Sequence, residues 1–250
     1  MKRKLVAALA CRNNGSRLFA KPLQNLDEKK NLKVIDYLIY QLKKIPEIKS
    51  IVLGISRGKE NAIYREVAKK FKLKYIYGDE TDVLSRLISC GQKERATDIF
   101  RVTTECPFIY LNEFSYHWKS HVNENFDATF LENIIDGCGY EIIKLESLKM
   151  SHKLGLRKHK SEMCSLYIRE NINKFRINRV FPPKKLVRKD LRLTIDYPED
   201  LIVCREVYKN VVQKSSKMDI FKIVNYLDKK KNLKNLLRPY VKMGYKIMYI

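Results

Sequence analysis

Short runs of apolar residues alternate along this chain with longer stretches in which apolar side chains recur every three or four positions. A short unbroken apolar run is typical of a strand buried on both faces, and the wider spacing is typical of an amphipathic helix. The alternation predicts an α/β fold with a mainly parallel sheet covered by helices on both faces. The predicted strands are residues 5–11, 51–55, 75–77, 99–103, 128–131, 141–144 and 193–195. The predicted helices are residues 34–44, 60–70, 82–92, 113–123, 161–171 and 198–209.

The last part of the chain differs from the rest in its charge. Residues 205–250 contain twelve Lys and Arg against three Asp and Glu, and Ile220, Ile223, Val224 and Leu227 have the spacing of one amphipathic helix. We therefore divide the chain into a main domain, 1–210, and a basic helical C-terminal extension, 211–250. The extension is either a surface for a membrane or a protein partner, or a solvated basic face packed back on the main domain.

The composition excludes several classes of protein. Of the 250 residues 45% are apolar, with nine Gly and seven Pro, which argues against a disordered or collagen-like chain. No apolar run reaches the ~18–20 residues of a membrane span, and the run near the N-terminus is shorter than the ~7–15 residues of a signal peptide. The six cysteines contain no CxxC pair, so we expect free thiols in a cytoplasmic protein. The net charge of +23 favours anionic partners without choosing among them.

A basic loop follows the first predicted strand. Ligands of α/β sheets bind where loops leave the carboxyl ends of parallel strands, so cations in this loop are placed to meet an anion. Gly15 and Ser16 would let backbone N–H groups approach phosphate oxygens, and Arg12, Arg17 and Lys21 would supply charge-assisted hydrogen bonds. The loop predicts a triphosphate cradle, with an ordinary basic turn as the alternative. It lacks the spacing of a Walker A loop.

Carboxylates follow two other predicted strands. Glu105 comes after strand 99–103, and Asp196 comes after strand 193–195. Two such acids, brought together beside a phosphate-binding loop, could hold Mg²⁺, which prefers a few carboxylates together with substrate phosphates. Alternatively, Asp196 is a turn or cap residue before a helix that starts at Pro198.

Four ordered segments carry recognisable motifs. Residues 10–23 read ACRNNGSRLFAKPL, residues 78–86 read GDETDVLSR, residues 101–107 read RVTTECP, and residues 193–201 read LTIDYPEDL. Together they resemble the spore-coat polysaccharide type of cytidylyltransferase, related to CMP-KDO synthetases and acylneuraminate cytidylyltransferases. The usual forms in that family are A-R-x-x-S-S-R-L-P-G-K, G-S-E-x-D-V-L-x-R, R-x-T-x-D-x-P and L-T-V-D-x-P-E-D. The resemblance covers about residues 4–210.

The resemblance implies a single GT-A-like (Rossmann-like) nucleotidyltransferase domain with a mixed, mainly parallel sheet. Such an enzyme transfers CMP from CTP to an acceptor and releases pyrophosphate, with Mg²⁺ as cofactor. By position, the resemblance implies catalytic roles for Arg12, Lys21, Glu105 and Asp196, with Glu105 and Asp196 as the metal-binding acids. The residues that it implies in nucleotide binding are Ala10, Arg12, Gly15, Ser16, Arg17, Lys21, Asp79, Asp82, Arg86 and Thr103.

The expected acceptor is a small anionic molecule, either a sugar acid or a phosphate monoester, used in surface polysaccharide biosynthesis. No nucleic-acid partner is expected, and a homodimer is left open. The chain departs from the family at three points. Glu105 replaces an Asp, Phe19-Ala20 replaces Pro-Gly, and residues 162–165 read EMCS where the family has E-H-V-T.

Two other functions are weighed against the cytidylyltransferase. The net charge, fifteen Tyr and ten Phe would suit a nucleic-acid-binding protein, but the cations are spread over nearly every predicted helix and no nucleic-acid-binding motif is found. A catalytically degenerate scaffold is the other alternative. The chain retains Arg12, Arg17, Lys21, an acid at position 105 and Asp196, which argues against a scaffold. His117 and His121 also have the spacing of a zinc-binding pair, although no third ligand lies nearby in sequence.

Overall fold

A mixed sheet forms the centre of the computed structural model, which describes residues 3–15, 17–215 and 217–248, with side chains up to Val241. The strands are β1 (Leu5–Cys11), β2 (Asn25–Asp27), β3 (Leu32–Lys33), β4 (Ile48–Ser56), β5 (Lys74–Gly78), β6 (Asp98–Arg101), β7 (Ala128–Leu131), β8 (Glu141–Lys144) and β9 (Ile177–Val180). The helices are α1 (Val34–Leu42), α2 (Tyr64–Phe71), α3 (Val83–Lys93), α4 (Phe114–Asn123), α5 (Leu145–Leu154), α6 (Leu166–Glu170), α7 (Pro198–Val207), α8 (Ile220–Asp228) and α9 (Lys231–Met248).

The strand order in the seven-stranded sheet is β5-β4-β1-β6-β8-β7-β9. Strands β5, β4, β1 and β6 run parallel, β8 pairs antiparallel with both of its neighbours, and β9 is parallel to β7. Strands β2 and β3 form a separate small hairpin. The predicted α/β fold with a mixed, mainly parallel sheet is confirmed.

Strand β1 lies in the middle of the sheet and is buried on both faces. Its alternate residues face opposite sides, as the period of a strand requires. Leu5, Leu9 and Cys11 pack in a larger core with helices α1, α2 and α7, and Val6 and Ala8 pack in a smaller core with α3 and α5. The unbroken apolar run of β1 is therefore explained by helices on both faces.

One predicted strand, 193–195, is wrong. The Leu193 N–H donates to the Asp136 carbonyl at 2.7 Å, and the Ile195 N–H donates to the Glu105 carbonyl at 3.1 Å. The backbone of this segment therefore bonds to two loops, and only an isolated bridge between Asp136 and Arg192 resembles strand pairing. The apolar pattern detected the burial of the segment, but burial between loops gives the same pattern as burial within a sheet.

Other elements begin or end away from their predicted limits. Helix α2 begins at Tyr64 because Lys59–Asn61 form a separate 3₁₀ turn. The helix predicted over 161–171 is limited to Leu166–Glu170. Helix α5, strand β9 and the hairpin of β2 and β3 were not predicted, because their residues mix polar and apolar types without a clear period.

The C-terminal helices share the core of the main domain. Ile220, Ile223, Val224 and Leu227 on α8 are buried in the same cluster as β1, together with Leu237 of α9. The structure thus shows the alternative in which this face packs back on the domain, while the boundary at residue 210 stays a prediction. Among the described residues, no helix is both long enough and apolar enough to cross a bilayer.

A buried ionic cluster fixes the start of β6 to the N-terminal segment. The carboxylate of Asp98 accepts hydrogen bonds from Arg3 and from the Thr97 hydroxyl at 2.6 Å, and it lies 3.1 Å from His121 Nε2. Burial opposes the charged form, but the hydrogen bonds of His121, Arg3 and Thr97 hold the pKa of Asp98 below its usual range. Removing such a carboxylate leaves buried donors without a partner.

We predict that Asp98→Ala lowers the free energy of unfolding by about 3–5 kcal/mol, as expected when one member of a buried ionic cluster is lost. Urea denaturation measures the change. The control is Glu146→Ala, which breaks an exposed ion pair with Lys149 and should cost less than about 1 kcal/mol. Equal losses for the two variants would contradict the prediction.

Candidate active site

A cavity of about 410 Å³ opens at the carboxyl ends of β1 and β6. Because these strands are parallel neighbours, the loop after β1 and the turn after β6 lie side by side. The segment between β7 and β8 and the segment before α7 complete the same wall. This edge is where ligands bind in open α/β sheets, so the predicted basic loop and both predicted acids meet where chemistry is expected.

The start of the basic loop is held by Tyr64 of α2 and by residues of the turn that precedes this helix. The Asn13 N–H donates to Asn61 Oδ1 at 2.7 Å, and the Asn13 side chain donates to the Glu60 carbonyl. The Tyr64 hydroxyl donates to the Arg12 carbonyl at 3.1 Å. These bonds explain why the loop has a defined shape although it lies between β1 and the short 3₁₀ turn Lys21–Leu23.

Two small residues permit the path of the loop. A Cβ at Gly15 would lie 2.7 Å from the Leu18 carbonyl oxygen, so a larger residue would have to displace the backbone. Ala20 has φ 49° and ψ 43°, and its N–H donates to the Asn13 carbonyl at 2.9 Å. The resembling family has glycine at this position, so the alanine keeps a left-handed backbone at a cost of roughly 1–2 kcal/mol.

Three cations converge on the carboxylate of Asp196. Lys21 Nζ donates to its Oδ1 at 2.6 Å, and Arg17 Nη2 donates to the same oxygen at 3.1 Å. Arg192 Nη2 donates to Oδ2 at 2.8 Å. Partial burial opposes ionisation, but the bond from Lys21 and the three positive charges hold the pKa of Asp196 below its usual range. The carboxylate is therefore a fixed negative charge between the loop cations and a buried guanidinium.

Arg192 is a site residue that the sequence reasoning missed. Its side chain is 2% exposed and forms an ion pair with Asp200 at 3.0 Å, in addition to its bond with Asp196. Its Nη1 donates to the Tyr240 carbonyl at 3.0 Å and lies 3.9 Å from Asp136 Oδ2. In the sequence, this residue is a single arginine within an apolar segment. A surface strand with one exposed arginine would have the same pattern, so nothing in the sequence indicated that Arg192 belongs to the site.

The turn at Asp196 is set by the start of α7. Pro198 occupies the first turn of the helix, where its missing N–H costs nothing. Asp200 Oδ2 accepts hydrogen bonds from the N–H groups of Asp196 at 2.9 Å and Tyr197 at 3.0 Å. The capping role considered for Asp196 therefore belongs to Asp200, which leaves the carboxylate of Asp196 directed toward the cations.

Two further carboxylates line the cavity near Asp196. Burial raises the pKa of Glu105, helped by the charge of Asp196 and opposed by Lys21. Burial also raises the pKa of Asp136 to about 6, with Arg192 opposing and the neighbouring acids Asp196, Asp200 and Glu105 reinforcing the shift. Around Asp196, the cavity thus combines one carboxylate neutralised by cations with two whose negative charge is poorly compensated.

Arg86 lies 1% exposed beneath the loop. Its Nη1 donates to the carbonyls of Cys11 at 3.2 Å and Gly54 at 3.1 Å. A Cβ at Gly78 would lie 2.5 Å from Arg86 Cγ, so the glycine makes room for this side chain. Burial lowers the pKa of Arg86. The structure places this predicted nucleotide-binding residue in the cavity wall, where it also connects β1 with β4.

Asp79 and Asp82 lie apart from the cavity. Asp79 Oδ1 accepts from the N–H groups of Thr81 and Asp82 at 2.8 Å, which closes a turn. Asp82 caps α3 by accepting from the Ser85 N–H at 2.8 Å, and its other oxygen lies 2.6 Å from His152 Nε2. Both acids line a second surface depression, so their assignment to nucleotide binding stays a prediction.

The remaining predicted nucleotide-binding residues lie at the cavity wall or outside the described residues. Ala10, Arg12, Gly15 and Thr103 line the cavity. Arg12 is exposed, and its Nη2 donates to Glu162 Oε2 at 3.2 Å. Ser16 lies outside the described residues.

An ionic network that was not predicted forms another part of the cavity wall. Arg101 Nη1 and Arg169 Nη2 donate to the two oxygens of Glu141, at 3.2 Å and 3.1 Å. The Ser165 hydroxyl also donates to Glu141, at 2.6 Å, and Arg101 Nη2 donates to the Glu162 carbonyl at 2.7 Å. Burial opposes ionisation, but the two arginines hold the pKa of Glu141 below its usual range.

The segment that replaces E-H-V-T therefore does reach the cavity. Glu162, Met163, Cys164 and Ser165 all line it, although the histidine of the family is absent. Distance in sequence hid the network, because Arg101, Glu141 and Arg169 belong to a strand, the next antiparallel strand and a short helix.

Residues 3–15, 17–215 and 217–241 contain no group of three or more His, Cys, Asp or Glu suited to a metal ion. His117 Nδ1 lies 2.6 Å from the Tyr140 hydroxyl, and His121 contacts Asp98 and Thr129. Burial lowers the pKa of both histidines. They take part in buried polar contacts with different partners, so the spacing that suggested a zinc pair has a structural explanation.

The chain has relatives over nearly its whole length among known proteins. No protein-family profile matches it. An uncharacterised protein of Methanocaldococcus jannaschii is 27% identical over 233 residues, which cover 93% of this chain and 94% of that protein. The spore coat polysaccharide biosynthesis protein SpsF of Bacillus subtilis is 22% identical over 206 residues, which cover 80% of this chain and 85% of SpsF.

Among solved structures, a cytidylyltransferase from Leptospira borgpetersenii superposes with a TM-score of 0.82 at 18% identity, and the match covers 93% of this chain and 97% of that one. A match at this identity establishes the fold. The chain has the fold of a cytidylyltransferase, and the resemblance to the spore-coat polysaccharide type that its motifs indicated is confirmed.

Proposed function

We propose that this chain is a nucleotidyltransferase that transfers CMP from CTP to a small anionic acceptor and releases pyrophosphate. The observation that carries the proposal is the convergence of Arg17 and Lys21 on one oxygen of Asp196 in the cavity. Phosphate oxygens offer these cations the same kind of partner as a carboxylate, and a triphosphate brings several of them. The loop cations are thus already gathered at one point before a nucleotide binds.

The choice of CTP has two supports. The chain has the fold of a solved cytidylyltransferase over nearly its whole length. Its basic loop and its LTIDYPED segment, which match the motifs of the resembling family, form one wall of the cavity. The relative SpsF supports surface polysaccharide biosynthesis as the setting, and the cytoplasmic location stays a prediction.

Glu105 and Asp196 are the residues that would hold Mg²⁺. Carboxylate oxygens are the donors that this ion prefers, and it needs few of them when substrate phosphates complete its coordination. The raised pKa of Glu105 reflects a negative charge that its surroundings compensate poorly, which a divalent cation would correct. When bound, Mg²⁺ supplies additional neutralisation of the triphosphate charge.

The protein's own groups position the reactants and stabilise charge. The acceptor oxygen attacks the α-phosphorus of CTP in line, and the bond to the bridging oxygen of pyrophosphate breaks. Arg17 and Lys21 orient the triphosphate and take up the negative charge that develops on pyrophosphate. Asp196, freed from part of its contact with these two cations, remains bonded to Arg192.

Arg101 and Arg169 line the cavity, where they would attract an anionic acceptor. Arg101 and Arg169 both pair with Glu141, and Arg169 also pairs with Glu132 at 2.7 Å, so the four side chains are balanced in charge. The pairs are largely buried, and a charge held in a water-poor site acts more strongly on a ligand than one in solvent. A sugar acid or a phosphate monoester would offer the two arginines a further anionic partner.

The nucleic-acid-binding and scaffold alternatives predict a different arrangement of the charged residues. Nucleic acid is recognised over extended surfaces, whereas the loop cations meet in a cavity with the volume of a small-molecule site. A scaffold would not need the cations and acids to be assembled at one point.

A pyrophosphate-release screen tests the proposal. ATP, CTP, GTP and UTP are each incubated with sugar acids and phosphate monoesters in the presence of Mg²⁺. We expect release from CTP with one class of acceptor. Tight nucleic-acid binding without any nucleotide turnover would contradict the proposal and favour the nucleic-acid-binding alternative.

Asp196→Asn should abolish most of the Mg²⁺-dependent turnover while leaving the fold largely intact. The substitution removes a metal-binding charge at constant side-chain size, and Arg192 keeps its ion pair with Asp200. The loss of turnover should be at least the roughly 10–100-fold that changes around a metal site produce. Turnover and thermal unfolding are measured together, with Asp190→Asn, at an exposed ion pair, as the control. Wild-type turnover in Asp196→Asn would refute the metal-binding assignment.

Arg17→Ala and Lys21→Ala should each weaken CTP binding and slow pyrophosphate release by about tens to a thousand fold, because each removes a donor to the developing charge. Calorimetric titration with CTP and steady-state kinetics measure the two effects. The matched control is Lys29→Ala, at an exposed position in the turn between β2 and β3. If both variants bound and turned over CTP normally, the phosphate site would have to lie elsewhere.

Glu105 tests the effect of a longer side chain at a metal-binding position. Glu has one methylene more than the Asp of the resembling family, which moves its carboxylate ~1 Å from the position that an Asp carboxylate would occupy. The surrounding backbone must accommodate this shift, because preorganised sites tolerate such displacements poorly. Glu105→Ala should therefore be nearly inactive, and Glu105→Asp only partly active although it restores the family residue. Turnover is measured over a range of Mg²⁺ concentrations. A lost ligand raises the Mg²⁺ requirement, whereas indifference to Glu105→Ala would show that this acid does not bind the metal.

A further inference from the structure

Helix α9 belongs to the segment whose role the sequence left open, and it reaches the active site. Leu233, Leu237 and Val241 anchor one face of the helix in the main core. Tyr240, between the last two of these, lies against the residue that follows Asp196. The position of Tyr240 is therefore fixed by the core.

The ring of Tyr240 stacks on the ring of Tyr197. Their centroids are 4.0 Å apart and their planes are inclined by 22°. The Tyr197 ring is in turn contacted by two guanidinium groups, with the Cζ of Arg17 at 5.1 Å and that of Arg192 at 5.8 Å from its centroid. The stacked rings thus connect α9 to Arg17 of the basic loop and to the buried Arg192.

The backbone of α9 makes a second connection. Arg192 donates one hydrogen bond to the Tyr240 carbonyl at 3.0 Å and another to Asp196 Oδ2 at 2.8 Å. A single guanidinium therefore bridges α9 and the carboxylate. Because Arg192 is almost fully buried, it has little room for another arrangement.

The loop residue Arg17 needs such support more than Arg192 does. Its side chain is 39% exposed, so its bond with Asp196 competes with water and with many other rotamers. An aromatic face beside the guanidinium restricts those rotamers and attracts the positive charge. The aromatic face keeps its position only while Tyr197 is itself supported, and Tyr240 is the ring stacked on it.

We propose that α9 contributes to nucleotide binding through Tyr240, which acts as a positioning residue. Tyr240 holds the ring of Tyr197 in place, and that ring in turn keeps Arg17 in the position in which it binds the triphosphate. The inference rests on the proposed function for the identity of the nucleotide. The role of Tyr240 requires only that the basic loop binds a triphosphate, whichever nucleotide carries it. The C-terminal extension then contributes to nucleotide affinity without touching the nucleotide.

The test compares three full-length variants. Tyr240→Ala removes the stacked ring, Tyr240→Phe keeps it, and Tyr226→Ala removes a tyrosine of α8 that lies near Glu206 and Asn210. Calorimetry measures the Kd for CTP and for inorganic triphosphate, and kinetics separate KM from kcat. We expect Tyr240→Ala to raise both Kd values and KM about tenfold, with a smaller change in kcat. Tyr240→Phe and Tyr226→Ala should stay within about twofold of the wild type.

A double-variant cycle with Arg17→Ala separates positioning from general stability. If Tyr240 acts through Arg17, Arg17→Ala combined with Tyr240→Ala should bind triphosphate no more weakly than Arg17→Ala alone. Additive losses, or a loss in Tyr240→Ala that Tyr240→Phe does not restore, would overturn the inference.

The two ligands separate this inference from the proposed function. Wild-type protein that binds triphosphate but shows no preference for CTP would refute the choice of nucleotide and leave the role of Tyr240 measurable. Wild-type protein that binds neither ligand would overturn both.

Discussion

Burying a guanidinium away from water is costly unless its N–H groups find partners. The Nη atoms of Arg192 donate to Asp196 and to the carbonyl of Tyr240 in α9, and the guanidinium also forms ion pairs with Asp200 in α7 and with Asp136. Each partner is thereby fixed relative to the others. The position of Asp196, on which the loop cations converge, follows from this one buried charge.

The order of the strands in the sheet also determines which charged groups meet in the cavity. Parallel pairing of β1 with β6 brings the basic loop next to the turn that carries Glu105, and the Ile195 N–H bonds to the carbonyl of Glu105. Three acids and three cations then share a small volume in which their charges are unevenly balanced. The pKa of Asp196 is lowered, whereas the pKa values of Glu105 and Asp136 are raised. A ligand that carries phosphates and a divalent cation would balance both parts of this arrangement.

Much of the fold could be predicted from local pattern. Strands β1, β7 and β8 have their predicted limits, because their apolar residues are buried within the sheet. The strand expected at 193–195 is instead a buried loop, and α5 and β9 were missed. Local pattern reports whether a residue is buried. It does not report which other segment buries it, and that information distinguishes a strand from a buried loop.

The residues of the candidate site also fall into two groups, those that motifs identify and those that only the tertiary structure brings together. The sequence by itself determined the basic loop, with Arg17 and Lys21, and the two acids Glu105 and Asp196, because each lies in a contiguous motif after an apolar run. The tertiary structure alone decided that Arg192 is the buried counterion of Asp196, that Arg101, Glu141 and Arg169 form one network in the cavity wall, and that Tyr240 lies against Tyr197. These contacts join residues that no motif contains together, since most are separated by tens of positions. Such partners are selected by the packing of whole helices and strands, whereas motifs depend on the conformation of a few adjacent residues.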